Sequence, residues 1–265
     1  MSDTVYFNIA GFSIKIVFQK TIDTFAYKRI KRDILDLLQG FIAVYTEKID
    51  YTIEFIDPGF IQTLFKPKKQ TTYTLLYHRT QQKIVTFYYL SIFQFQSLLQ
   101  STLLYLLNAN KGFMVHCSAI LIDEKAHVFL GVSGAGKSTI VKFLYNSYPI
   151  IADDQLIIRK ENNEYYCYPS PYREKVSWII KNRKRYPLKG MYFLQKSKKY
   201  YISKTSDLDP IVKLIFNQIY TDHQFKKNQA SITMKFIFDF GKFYSLSFGK
   251  NRKKVLSLIS NSSAG

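Results

Sequence analysis

The sequence predicts an α/β fold, a mixed sheet with flanking helices, preceded by a small strand-rich N-terminal module. Three observations predict it. An apolar strand, a glycine-rich loop and an amphipathic helix follow one another over residues 126–147. A second apolar strand, 150–152, delivers two adjacent aspartates and then continues as strand over 155–158. The first 90 residues hold repeated runs of β-branched and aromatic residues bounded by turn residues.

Each element follows from its own residues. TVYFNIAGFSIKIVF (4–18) reads as two short strands around Gly11, and 22–39 as a helix or a loop with a short helix. Residues 50–57, 71–78 and 82–89 read as strands, with a turn at Lys66-Pro67-Lys68-Lys69. The uncharged stretch from Ile84 to Asn110 has the length of a membrane span, but three glutamines within seven residues would be costly in lipid. A buried helix over about 91–109 is expected instead, with Leu98, Leu99, Leu103, Leu106 and Leu107 at helical spacing. These elements form a module over 1–110 with a connecting helix, and a second domain runs over 111–265.

In that second domain 113–121 is expected as one strand, turned by Asp123-Glu124-Lys125 into an antiparallel strand over 126–130. Beyond the aspartates, YPLKGMYFL (186–194) reads as a buried strand, 209–220 as a helix, 231–239 and 242–248 as strands, and 253–260 as a short helix. Residues 261–265 read as a loose tail.

Composition sets outer limits. The chain has 265 residues, 47% of them hydrophobic and 17% aromatic, which excludes disorder and allows a sizeable core. Two cysteines, Cys117 and Cys167, exclude a disulfide framework or a cysteine-rich metal site. The N-terminus MSDTVYFNIAGF lacks the basic start and apolar core of a signal peptide, so a cytoplasmic protein is expected. The net charge of +19 is lopsided, +4 over 1–110 and +15 over 111–265. An anionic partner would be drawn to the second part.

Gly131-Val132-Ser133-Gly134-Ala135-Gly136-Lys137-Ser138 matches G-x-x-x-x-G-K-S, the P-loop, with the strand before it and the helix after it that the motif requires. Glycines let successive backbone N–H groups turn inward onto phosphate oxygens, and the helix N-terminus adds partial positive charge. Gly131, Ser133, Gly134, Ala135, Gly136, Lys137, Ser138 and Thr139 are the expected nucleotide contacts. Lys137 would reach the β- and γ-phosphates, and the Ser138 hydroxyl is placed to ligate Mg²⁺. The loop reads phosphates, so ATP, GTP and pyrophosphate all stay open. Asp153-Asp154 lies only 16 residues past Lys137. A carboxylate pair there suits one metal-binding group and one group that polarises an acceptor hydroxyl.

HCSAI (116–120), GVSGAGKST (131–139) and IIADDQLII (150–158), in that order, resemble the kinase domain of the HPr kinase/phosphorylase family, whose fold is related to phosphoenolpyruvate carboxykinase. Residues 1–110 do not resemble the N-terminal domain of the full phosphocarrier kinase and instead look like the short strand-rich leader of stand-alone relatives such as the tailoring kinases of lasso-peptide precursors, which the chain resembles in outline. The resemblance implies an ATP- and Mg²⁺-dependent phosphotransferase acting on a serine or threonine hydroxyl. It implies that one of Asp153 and Asp154 is the general base and the other a metal ligand. The family pattern suggests Asp154 as base with His116 close by, and Asp153 with Ser138 on the metal. YPSPYREK (168–175) is similar to the family's Pro-aromatic loop, and Arg173 within it is a candidate for steadying the transferring phosphoryl group. His78, His127 and His223 are expected to be structural. The family's Glu-x-Arg-Gly signature is not found, and 181–199 occupy its region. The phosphocarrier substrate and reverse phosphorolysis are therefore not carried over. Phosphocarrier kinases are hexamers, so a homo-oligomer belongs to what the resemblance implies.

Lys181 to Lys199 holds eight Lys/Arg and no acid, and 250–254 adds four more. This fits an electrostatic collar for an acidic acceptor peptide or protein. It also fits nucleic acid stacked on Tyr186, Tyr192 and Phe193, although the alternation there reads more as a buried strand. The alternative functions are a small-molecule kinase for free serine or a sugar, a polynucleotide kinase, and a nucleotide sensor without turnover.

Overall fold

The structure, a computed structural model, describes residues 2–57, 77–172 and 176–263. The expected turn at 66–69, most of the expected strand 71–78, and Arg173 lie outside the described residues. The chain divides into two compact units, residues 1–102 and 103–265. The division falls within the helix Ile92–Ala109 rather than after it at 110.

The first unit begins with a hairpin of β1 (Asp3–Ile9) and β2 (Phe12–Phe18). Its turn residues Ala10 and Gly11 have φ of 52° and 80°, the left-handed pair that a two-residue hairpin turn uses. Helix α1 (Thr24–Leu37) follows, then β3 (Ile42–Ala43) and β4 (Tyr51–Ile56). β4 runs parallel to β2, and a parallel pair needs a crossover, which α1 supplies. The Asp23 carboxylate accepts from Ala26 N–H at 2.9 Å and starts the helix. Ala26, Ile30 and Ile34, four residues apart, are its buried face. β5 (Tyr77–Arg79) and β6 (Lys83–Phe87) complete the sheet, in the order β3-β1-β2-β4-β6-β5 among the described residues. The module is therefore a mixed α/β unit.

Helix α2 (Ile92–Ala109) opens on a reciprocal cap. Gln94 N–H donates to Ser91 Oγ at 3.2 Å, and Ser91 N–H donates to Gln94 Oε1 at 2.8 Å. All five expected leucines are buried. No helix among the described residues is long and apolar enough to cross a membrane.

The second unit is a mixed sheet between two layers of helices. Its strands are β7 (Gly112–His116), β8 (Ser118–Ile122), β9 (Lys125–Leu130), β10 (Ile150–Ala152), β11 (Gln155–Glu161), β12 (Glu164–Pro169), β13 (Tyr186–Lys196), β14 (Tyr201–Lys204), β15 (Ile219–Tyr220) and β16 (Phe243–Phe248). They run in the order β10-β8-β9-β13-β12-β11-β7-β15, with β16 beside β13 and β14 beside β16. β9 and β16 both lie parallel to β13. Alternate residues of these strands face opposite layers. Val128, Leu130, Met191 and Phe193 pack with Ile211 and Ile215 of α4 (Leu208–Phe216) and with Phe236 and Ile237 of α5 (Lys226–Phe240). Phe129, Tyr192, Leu194, Leu246 and Phe248 pack with Ile140, Val141 and Leu144 of α3 (Lys137–Leu144) and with Val255 and Ile259 of α6 (Arg252–Ser263). Burial on both faces explains why these strands read as continuous apolar runs.

Several expectations need correction. The strand expected over 113–121 is two strands broken at Cys117. β7 pairs with β11, and β8 pairs with β9 and β10, so the chain changes partners at the break. The helix expected over 209–220 stops at Phe216, where Ile219 and Tyr220 pair with β7. The strand expected over 231–239 is helix α5. Its phenylalanines alternate like a strand, but Phe238 is 64% exposed and the buried set is Gln229, Thr233, Phe236 and Ile237, a helical spacing. Phe236 decides the matter by packing against Phe113, Tyr165 and Phe243 from other elements. Gly241 ends the helix in a left-handed cap.

His127 is 2% exposed, its ring stacked on Tyr192 and its Nδ1 3.0 Å from the Tyr192 hydroxyl. Burial pulls its pKa down to about 4 from 6.5. The unfolded chain therefore binds the extra proton first as pH falls. Stability is full above pH 6.5 and declines towards pH 4, by about 3 kcal/mol from this group. Chemical denaturation across that window is expected to show the slope, and His127→Gln to flatten it. An unchanged slope in the variant would assign the loss to other groups.

Candidate functional site

The site is built on two breaks in the sheet and one loop. β9 ends with Val128, Phe129 and Leu130 fully buried. The chain leaves the sheet at Gly131, turns with φ of 78° at Gly134 and 106° at Gly136, and enters α3 at Lys137. Ala135 N–H donates to the Val132 carbonyl at 3.0 Å and tightens the loop. Gly136 is required twice over. Its backbone is left-handed, and a Cβ there would stand 2.8 Å from Cζ of Phe248. Ser138 and Thr139 lie exposed in the first turn of α3, where the helix carries its positive end.

Lys137 is buried, and its Nζ donates to the Gly131 carbonyl at 2.8 Å. The ammonium is thus held across the mouth of its own loop. Burial lowers its pKa, while Cys117, Asp154 and Asp153 act in the opposite direction.

The two carboxylates arrive through a matched pair of bends. β7 and β8 break at Cys117, and β10 and β11 break at Asp153–Asp154. His116 is paired with Gln155 across one half of the sheet, and Ala119 with Ala152 across the other. Cys117 N–H donates to the Asp154 carbonyl at 3.1 Å and locks the breaks side by side. Two contacts follow. His116 Nδ1 lies 2.9 Å from Asp154 Oδ1, with both side chains more than a third exposed. Ser118 Oγ, from a fully buried residue, donates to Asp153 Oδ1 at 3.0 Å. The acids are thereby differentiated. Asp153 is anchored to the sheet, and Asp154 faces the opening beside a histidine.

His116, Ser133, Gly134, Gly136, Lys137, Ser138, Thr139, Asp153 and Asp154 line a single cleft of about 290 Å³, joined by Lys196. Gly131 and Ala135 stand behind it, so close that a Cβ on Gly131 would meet that of Ala135 at 2.6 Å. Sequence reasoning missed two members. Ser118 opens β8 just past the break and His116 closes β7, so no shared strand face links them in the sequence. Lys196 was read only as part of a basic run.

That run does not act as one surface. Arg183, Lys184 and Arg185 precede β13 and Lys196, Lys198 and Lys199 close or follow it, so the 11-residue strand holds them roughly 33 Å apart. Arg185 pairs with Glu161 and lies over the Tyr166 ring at 4.4 Å. Tyr186, Tyr192 and Phe193 are buried and offer no stacking platform.

A family model described as SynChlorMet cassette protein ScmC matches residues 86–235, more than half of the chain. The chain belongs to the ScmC family. Every residue lining the cleft falls within the part shared with that family. No curated protein matches the chain. Among solved structures the chain is similar to the HPr(Ser) kinase/phosphatase from Coxiella burnetii, at 13% identity and a TM-score of 0.33, over 57% of this chain and 96% of that one.

Proposed function

We propose that this ScmC-family chain is a kinase that moves the γ-phosphoryl group of ATP to a serine or threonine hydroxyl of a peptide or small protein, as precursor-peptide tailoring kinases do. The observation that carries the reading is the shared cleft. A phosphate-binding loop, a buried lysine and a carboxylate paired with a histidine all line it.

The chemistry balances without a further reactant. The acceptor oxygen forms a bond to the γ-phosphorus as the bond from that phosphorus to the β–γ bridging oxygen breaks. ADP leaves with the electron pair, and Asp154 takes the hydroxyl proton. His116, beside Asp154, holds that carboxylate in place and can share the proton. The loop N–H groups and Lys137 balance the phosphate charge. Mg²⁺ is bound by one or two carboxylates together with substrate phosphates, and Ser138 and Asp153 are a donor set of that kind. Bound there, the ion would offset phosphate charge. The net +15 of the second unit favours an acidic acceptor.

The test is transfer of labelled γ-phosphate from ATP with Mg²⁺, to acidic and basic serine peptides, free serine and an oligonucleotide. Label on the acidic peptide, lost in Lys137→Ala, is expected. Label on free serine or the oligonucleotide alone would replace the peptide reading. ATP binding with neither hydrolysis nor transfer to any acceptor would favour a sensor.

A further inference from the structure

β13 changes neighbours part-way along its length. β9 lies on one side of it. On the other side it pairs with β12 at Tyr186 and Pro187 and with β16 from Met191 onward. Among the described residues, Leu188, Lys189 and Gly190 pair with neither strand on that side, so the sheet has a seam there. The register with β9 also slips at this point. Leu188 is level with Ala126 and Gly190 with His127, which leaves Lys189 as a bulged residue.

A cavity of about 370 Å³ opens at the seam. We propose that it binds a small dicarboxylate, a molecule with two carboxylates on a short apolar spacer. The inference does not rest on the kinase reading. The cavity lies at the amino ends of the parallel strands β9, β13 and β16, the phosphate cleft lies at the carboxyl ends of β9 and β13, and the two share no residue.

Charge sets the sign of the ligand. Three lysines line the cavity from three places. Lys125 opens β9, Lys189 is the bulged residue, and Lys242 precedes β16. None of them forms an ion pair among the described residues. The two carboxylates of the lining are already engaged. Asp239 Oδ2 accepts from Lys160 at 2.6 Å and from the Tyr165 hydroxyl at 3.3 Å, and Glu164 Oε2 accepts from the Tyr166 hydroxyl at 2.7 Å. With Lys160 included, four ammonium groups meet two carboxylates, which leaves two positive charges for a ligand to balance.

The spread of those charges favours two anionic groups over one. β9 and β16 flank β13, so Lys125 and Lys242 start at least about 10 Å apart across the sheet. Separated point charges match two carboxylates held apart on one molecule better than one compact phosphate. The surface between them suits an apolar spacer. Phe240 and Tyr165 are half-buried, and Leu188 is buried beside them. The Phe240 ring is held by Phe236 at 5.3 Å and Phe243 at 5.5 Å, so this floor belongs to the core and is rigid. The volume is that of a small-molecule site.

Calorimetry on the full chain with adipate, terephthalate, acetate and the peptide Gly-Glu-Gly-Glu, each with and without saturating tripolyphosphate, tests the proposal. At least one of the two dicarboxylates is expected to bind about tenfold or more tighter than acetate, with tripolyphosphate making no difference. Lys189→Met, at a half-buried position, is expected to weaken that binding about tenfold, and Lys125→Met, at an exposed one, about threefold. Lys137→Ala is expected to leave it unchanged. Binding of both dicarboxylates no tighter than acetate would overturn the proposal. So would displacement by tripolyphosphate, or a loss in Lys137→Ala with none in Lys189→Met, since either would put the anion in the phosphate cleft. Tighter binding of the peptide than of both dicarboxylates would replace the small molecule by an acidic polypeptide.

Discussion

Asp154→Asn is expected to lower phosphoryl transfer by about 10²- to 10⁴-fold, the usual contribution of a positioned general base. On the proposed reading ATP binding should survive, because the loop and Lys137 would hold the phosphates and the variant removes a negative charge from their neighbourhood. Single-turnover transfer and calorimetric ATP affinity, measured on the same preparation, separate the two effects. The 2.9 Å contact to His116 Nδ1 sharpens the prediction, since the asparagine amide can keep a hydrogen bond to the ring but cannot take a proton. Wild-type turnover in this variant would move the base to Asp153. A collapse of ATP affinity would make Asp154 a binding residue.

Gly136→Ala is expected to cost about a hundredfold in nucleotide affinity. An alanine at φ 106° is strained, and its Cβ would stand 2.8 Å from Phe248, whose ring is held in the core between α3 and α6. The strain is relieved only if the loop gives way, so the phosphate cradle is lost while the sheet stays folded. Calorimetry with ATP and tripolyphosphate reads the loss, and circular dichroism reads the fold. Wild-type affinity for both ligands would show that the loop tolerates the side chain.

The parts of this fold that were legible in the sequence are those whose signal is local. The strand–loop–helix around Lys137, the hairpin at Ala10–Gly11 and the two-residue turn at Asp123–Glu124 each carry their own chemistry. What could not be read depends on distant partners. Residues 231–239 have a strand-like alternation, and only the packing of Phe236 on Phe113 and Phe243 turns them into a helix. The local sequence does not place the break at Cys117, because Phe113 to Leu121 is apolar apart from His116 and Ser118, and those two fit a continuous strand as well. The need for it comes from the pairing of β7 and β8 with different strands. The same limit applied at the site. His116 and the aspartates were recognised one by one. The paired bends that bring them to 2.9 Å belong to the sheet.

The wedge of Phe248 against Gly136 joins residues 112 positions apart in the chain. During synthesis the N-terminal unit and the strands up to β13 are made well before β16, and chains emerge at about 5–20 residues per second. For several seconds, then, the glycine-rich loop exists without the ring that shapes it, and β13 lacks one of its parallel neighbours. Such long-range parallel pairing is also slow to form. The loop around Lys137 therefore takes its final shape only after Phe248 has been made, and on the proposed reading nucleotide capture waits for β16.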